Sequence, residues 1–267
     1  MIKIHFSFWL AAGLFIALGM GEAFALLFLA VTLHELSHVL VAKIFGCQLK
    51  QFRISALGEV AVVPQMERLR LWKRALVIAA GPACNLVLWG ISQWISPGNN
   101  FGFYNLVLAC FNLLPVLPLD GARLFQLWAG DFLGVMRANR LLIHTGRVFS
   151  VVLMVLGTVQ AALFFPNFSF LFMGYFLWRR NKSIWLELTG EFYMAMLDKP
   201  AWISENSPVP AKILYAYPET PIAHILDQMG WEKVVLVAIR DKPILLDEEK
   251  IVKHVIQYGM NGGIGSV

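Results

Sequence analysis

Apolar residues run in long blocks between positions 6 and 178, separated by short polar or Pro- and Gly-containing stretches. A helix needs ~20 consecutive apolar residues to cross the hydrocarbon core of a bilayer. On that measure the pattern predicts about six transmembrane helices, near 6–19, 23–45, 75–95, 103–118, 147–165 and 168–179. The first and last runs are short and rely on tilt or local thinning. Lys50 to Pro64 instead shows alternation and β-branched residues around Leu57-Gly58-Glu59, which predicts a membrane-associated β-hairpin beside the second span. Its edge offers hydrogen bonds to an extended peptide. From about 190 the pattern changes again, with Pro200, Pro208, Pro210, Pro218 and Pro221 marking an irregular start. Thr220 followed by Ile222, Ile225, Leu226 and Met229 predicts a capped amphipathic helix. Val234 to Ile239 predicts a strand, Asp241-Lys242 a turn, Pro243 to Leu246 a second strand, and Asp247 the cap of a last helix through Tyr258. The expected organisation is a six-span domain over 1–182, a linker over 183–199, and a small α/β cytoplasmic domain over 200–267. At roughly 70 residues that last domain is near the lower size limit for independent folding.

Composition agrees with a polytopic α-helical membrane protein. The chain of 267 residues is 58% hydrophobic and 15% charged, with a mean hydropathy of +0.64, whereas soluble domains carry roughly 25% charge. Charge then sets orientation, because loops rich in Lys and Arg stay on the cytoplasmic side. Lys3, the seven basic residues from Lys43 to Arg74, the four from Arg123 to Arg147, and Arg179, Arg180 and Lys182 all fall on one side of the predicted topology. The opposite connections, 19–22, 96–100 and 165–167, contain no Lys or Arg. Both termini are therefore expected in the cytoplasm. This asymmetry and nearby anionic lipid explain the net charge of +5, so no direct nucleic-acid partner is called for. Arg68 to Arg74 interleaves basic residues with Leu69, Leu71 and Trp72, as a helix lying on the membrane surface would. No small-residue cleavage site follows the first apolar run, so that span is expected to be retained. Cys47, Cys84 and Cys110 are too few and too scattered for a disulfide framework or a cysteine zinc site.

The second apolar run carries His34-Glu35-Leu36-Ser37-His38. A central charge in a membrane helix costs ~2.5–3.5 kcal/mol, so an ionisable cluster there marks a functional site. Residues four apart share a helical face, which lets His34 and His38 offer two imidazoles to one zinc ion. Glu35 borders that face and is placed to act as a general base. Catalytic zinc takes three protein ligands and keeps an open position, so a third is expected from another span. Asp120, in Asn112-Leu-Leu-Pro115-Val-Leu-Pro118-Leu-Asp120-Gly121, is the candidate; its alternative role is to cap the following helix.

The pair HELSH and NLLPVLPLDG resembles the site-2 protease family of intramembrane zinc metalloproteases, peptidase family M50. That resemblance implies Zn2+ held by His34, His38 and Asp120, with Glu35 as the base in peptide-bond hydrolysis. The family's GPxxN-like segment stands here as Gly81-Pro82-Ala83-Cys84-Asn85, implying that Asn85 stabilises the oxyanion. Ser37 departs from the Gly that relatives often carry, at a position that is not a ligand. The tail resembles a single CBS domain, implying ATP or another adenine nucleotide and a homo-oligomer that pairs two copies. Within the family the likeness is to a sporulation branch. It implies a membrane-associated sigma-factor precursor as substrate, inhibitory membrane proteins of the sporulation complex as partners, and residence in the outer forespore membrane facing the mother cell. A membrane zinc transporter and a non-catalytic membrane scaffold are the alternative functions.

Overall fold

The computed structural model describes residues 2–4, 6–48, 51–55, 58–62, 66, 69–163, 168–205, 209–240 and 245–267. The chain is mainly helical and divides into two compact units. The first comprises Met1–Leu114 with Leu119–Leu124, and the second Pro115–Pro118 with Phe125–Val267.

In the first unit β1 (Ile2–Ile4) leads into α1 (Phe6–Ala17), and a turn at Gly19, with φ of 72°, reverses the chain into α2 (Gly21–Ile44). Then follow β2 (Gln51–Ser55), β3 (Gly58–Val62), α3 (Leu71–Ile95), α4 (Asn100–Asn112) and the first turn of α5 (Asp120–Leu133). Strands β2 and β3 pair antiparallel, as the alternation predicts, with Gln51 opposite Val62 and Ser55 opposite Gly58. Lys50, Leu57 and Pro64 of the expected hairpin lie outside the described residues, as does Arg68 of the expected surface helix. The parallel partner β1 is an addition that three residues of alternation were too short to announce. Helices α2, α3 and α4 pack on one another, and α2 also touches β3. Asn99 caps α4 by accepting from the Gly102 amide at 2.8 Å, and its side chain also bonds Ser92 of α3.

The fourth apolar run was expected to be helical to residue 118, but α4 stops at Asn112. Pro115 has no amide to donate and disfavours helix in the residue before it. At 13 residues α4 is ~20 Å long and α1 is shorter. Among the described residues three helices are long and apolar enough to cross a membrane: α2, α3 and α6 (Val135–Leu163).

The second unit differs from expectation in three places. The stretch 119–147, expected to be largely loop, is α5 and the first part of α6. Its arginines hid an amphipathic helix, because Val135, Ala138, Leu142, Ile143 and Gly146 are buried at helical spacing while Arg137 and Arg140 point outward. The stretch 183–199, expected as a linker, belongs to α7 (Ser169–Glu205), one helix of 37 residues. Ile184, Leu188, Phe192 and Met196 recur every four residues and are buried, so one face has a core to join. Before the expected helix of the tail lies a further strand, β4 (Ala211–Ala216), parallel to β5 (Val234–Ile239). Between them, α8 (Ile222–Leu226) has Pro221 at its N-cap, because Thr220 instead accepts from the Tyr217 amide and closes the preceding turn.

The tail closes with β6 (Leu245–Leu246), antiparallel to β5, and α9 (Glu248–Tyr258). Asp247 caps α9 by accepting from the Lys250 amide at 2.8 Å; the expected turn at Asp241-Lys242 lies outside the described residues. The core joins Val235, Val237 and Ile239 of β5 to Ile222 and Leu226 of α8, Ile251 and Val252 of α9, and Phe192 and Met196 of α7. A buried ion pair, Lys199 to Glu248 at 2.8 Å, ties α7 to α9. Lys199 also donates to the Gly230 carbonyl, and Glu248 accepts from the Val235 amide. Burial pulls the Lys199 ammonium below its usual pKa and pushes the Glu248 carboxyl above its own, each opposed by the other's charge. Substituting Phe192→Ala empties a fully buried site and should destabilise the tail by ~3–5 kcal/mol. Limited trypsinolysis should then cut the tail faster than in the wild type; equal rates would mean that α7 is only a tether.

Candidate metal centre

Helix α2 brings His34, Glu35 and His38 to one stretch of its surface, and their potential ligand atoms lie within 4.8 Å of one another. The broken backbone after α4 then delivers Asp120. Its Oδ2 lies 3.0 Å from His34 Nε2 and 3.3 Å from His38 Nε2, and the two Nε2 atoms are 3.2 Å apart. All four residues belong to the first unit.

The hydrogen-bond partners define what this triangle can hold. His38 Nδ1 lies 2.7 Å from the Val77 carbonyl of α3. A carbonyl only accepts, so Nδ1 carries the proton and a neutral His38 directs its Nε2 lone pair inward. That lone pair faces His34 Nε2 and a carboxylate oxygen. One imidazole proton can satisfy one of the three contacts, while the remaining lone pairs repel unless a cation lies between them. Zinc bonded at ~2.0–2.2 Å in tetrahedral geometry separates its ligand atoms by about 3.3 Å. The observed triangle fits that ion. The Val77 carbonyl is the second-shell partner that fixes the tautomer and orientation of a ligating histidine.

Two glycines make the approach possible. A Cβ on Gly81 of α3 would lie 2.6 Å from His34 Nε2 and closer still to His38 Nε2, so only glycine lets this backbone face the imidazoles. A Cβ on Gly121 would lie 2.7 Å from the Leu114 carbonyl oxygen and closer to Leu113, so the return of the chain to Asp120 also needs glycine. Sequence reading noticed both glycines only as parts of motifs. The available signal was their cost, since glycine inside a helix is unfavourable by roughly 0.5–1 kcal/mol unless something requires it. Asn85 stands one turn from Gly81, on the same face of α3. It is fully buried, and neither its Nδ2 nor its Oδ1 has a hydrogen-bond partner within the protein. An amide in that condition costs roughly 1–3 kcal/mol, which marks it as a group placed for a ligand.

Residues 22–98, which include α2, the hairpin and α3, match peptidase family M50. The chain belongs to peptidase family M50. This M50 chain is 31% identical over 160 residues to stage IV sporulation protein FB of Bacillus subtilis, covering 57% of this chain and 56% of the relative. It is 27% identical over 180 residues to a zinc metalloprotease of Methanocaldococcus jannaschii, covering 60% and 51%. The M50 chain thus spans about half the length of these curated relatives. Its fold is that of the site-2 protease from Methanocaldococcus jannaschii, matched at a TM-score of 0.55 and 22% identity over 68% of this chain and 89% of that one. The apolar helices and this kinship make the M50 chain a membrane protein. Gly81→Ala should reduce zinc affinity at least ~10-fold, as loss of a second-shell contact does. Gly90→Ala on the same helix, where an added Cβ meets nothing within 4 Å, should leave affinity unchanged. Chelator competition reads both, and equal affinities would remove Gly81 from the site.

Proposed function

We propose that this chain is an intramembrane zinc metalloendopeptidase that hydrolyses a peptide bond of a membrane-associated substrate within or beside the bilayer. The observation that carries this reading is the convergence of His34, His38 and Asp120, with Glu35 alongside, on an apolar helix. Zinc held by those three side chains supplies a Lewis acid that makes water nucleophilic near neutral pH and polarises the scissile carbonyl. Glu35 takes the proton from the attacking water and returns it to the leaving amine. Asn85 donates from Nδ2 to the carbonyl oxygen as that oxygen gains charge, which gives its buried amide the partner it lacks within the protein.

The substrate must be extended to be cut, and an extended backbone in lipid leaves its amides unpaired. Strand β3 is an outer strand of its sheet and touches α2. Pairing of the substrate along β3 satisfies those amides and brings the backbone to the helix that bears Glu35.

Six spans complete the topology when α1, α4 and the first part of α7 join the three long helices, with both termini cytoplasmic. The similarity to stage IV sporulation protein FB supports a sigma-factor precursor as substrate, inhibitory membrane partners and the outer forespore membrane as location. The tail, as a CBS-like domain, binds an adenine nucleotide and pairs with a second copy.

The test is cleavage of a membrane-associated sigma-precursor fragment by the purified zinc-loaded full chain. Glu35→Gln should keep its zinc and lose cleavage by ~10²–10⁴-fold, and Asp120→Asn should lose both. Bound zinc without cleavage of this or any other membrane substrate would favour the transporter or the scaffold.

A further inference from the structure

Helix α5 runs unbroken from Asp120 to Leu133, so the residue that completes the metal triangle is the first residue of a helix whose other end is held elsewhere. That other end turns through Gly134 into α6, and the tail loop 227–233 grips the elbow. The first amide of α6, on Val135, has no partner within its own helix and donates to the Met229 carbonyl at 3.0 Å. Lys233 donates to the Asp131 carbonyl at 2.9 Å and pairs with the Asp131 carboxylate at 3.4 Å. The Trp231 indole N–H reaches the Gln126 carbonyl at 3.5 Å. Asp227 pairs with Arg137 and Arg140 of α6.

The elbow is shaped for this loop. Gly134 has φ of 92°, and a Cβ there would run into the Asp227 carbonyl. A Cβ on Gly130 would lie 2.7 Å from the Trp231 indole nitrogen. Glycine at both positions leaves the space that the loop fills. Gln126 also donates to Asn139 at 2.7 Å, which joins the two arms of the elbow beneath the loop.

We propose that Trp231 and Lys233 are positioning residues for Asp120, acting through α5: the tail loop holds the far end of the helix and so fixes where its first carboxylate stands. The proposal rests on the metal-site reading above. A helix is stiff over 14 residues, so freedom at its C-terminal half becomes displacement at its N-terminus. The tail is thereby part of the ligand geometry.

The experiment uses the full chain in lipid nanodiscs loaded with cobalt(II), whose visible d–d band reports the ligand set. The variants are Trp231→Ala with Lys233→Ala, the milder Lys233→Arg, and Asp120→Asn as reference. The double variant should bind cobalt ~10-fold more weakly, the magnitude typical of lost positioning partners. Its band should move toward that of Asp120→Asn, and amides 122–133 should exchange hydrogen faster while those of α2 and α3 are unchanged. Lys233→Arg should restore the wild-type band. A wild-type band and affinity in the double variant, with faster exchange confined to 227–233, would overturn the proposal and leave the loop as packing only. If wild type and Asp120→Asn give the same band, the metal-site reading itself has failed; exchange at Gly121–Leu124 then decides the clamp alone, faster exchange in the double variant supporting it and unchanged exchange overturning it.

Discussion

Three electron-rich atoms held within 3.3 Å of one another, on a helix made otherwise of apolar residues, form an arrangement that only a cation makes stable. Much of the first unit follows from meeting that demand. The imidazoles need the four-residue spacing of α2. One of them needs the Val77 carbonyl behind it to aim the correct nitrogen. Both need a neighbouring helix with no side chain at Gly81, and the carboxylate needs a chain that stops being helical after Asn112 and doubles back past Gly121. Each of these local choices is unfavourable or neutral alone, and each is explained by the same three atoms.

The parts of this site legible in the sequence are those written in side chains at regular spacing. His34, Glu35 and His38 stand out because charge inside an apolar run is costly, and Asp120 stands out because two prolines precede it. What escaped was carried by backbone or by tertiary contact. The Val77 carbonyl is a group that every residue possesses, and nothing in the letters says which one will face an imidazole. Gly81 is informative only once α2 is known to lie against it. The same division holds for the fold. The hairpin and the α9 cap at Asp247 were readable from local chemistry. The start of α6 was not, because Arg137, Arg140 and Arg147 depress any average taken along the chain although their helix buries its other face. The continuity of α7 across Arg179, Arg180 and Lys182 escaped for a related reason. A change of solvent along a helix looks like the end of the helix when polarity is the only signal.

The tail, likewise, does not hang from the chain as an independent bead. Its sheet is small, and its core borrows Phe192 and Met196 from α7. Lys199 and Glu248, charges that would be expensive to bury singly, are fully committed to each other and to backbone groups of the tail. A domain of this size near the limit of self-sufficiency has solved the shortage of apolar surface by annexing the end of a long helix.

That annexation has a geometrical corollary. The tail is fastened at two places, along the buried face of α7 and at the elbow between α5 and α6. Each added residue in a helix turns everything beyond it by about 100° and advances it by ~1.5 Å. A body held at one point could follow such a rotation, but one held at two cannot. The segment of α7 between Arg180 and Ile184 therefore behaves as a keyed shaft: its length can change only by whole turns, in steps of three, four or seven residues, if both fastenings are to engage together.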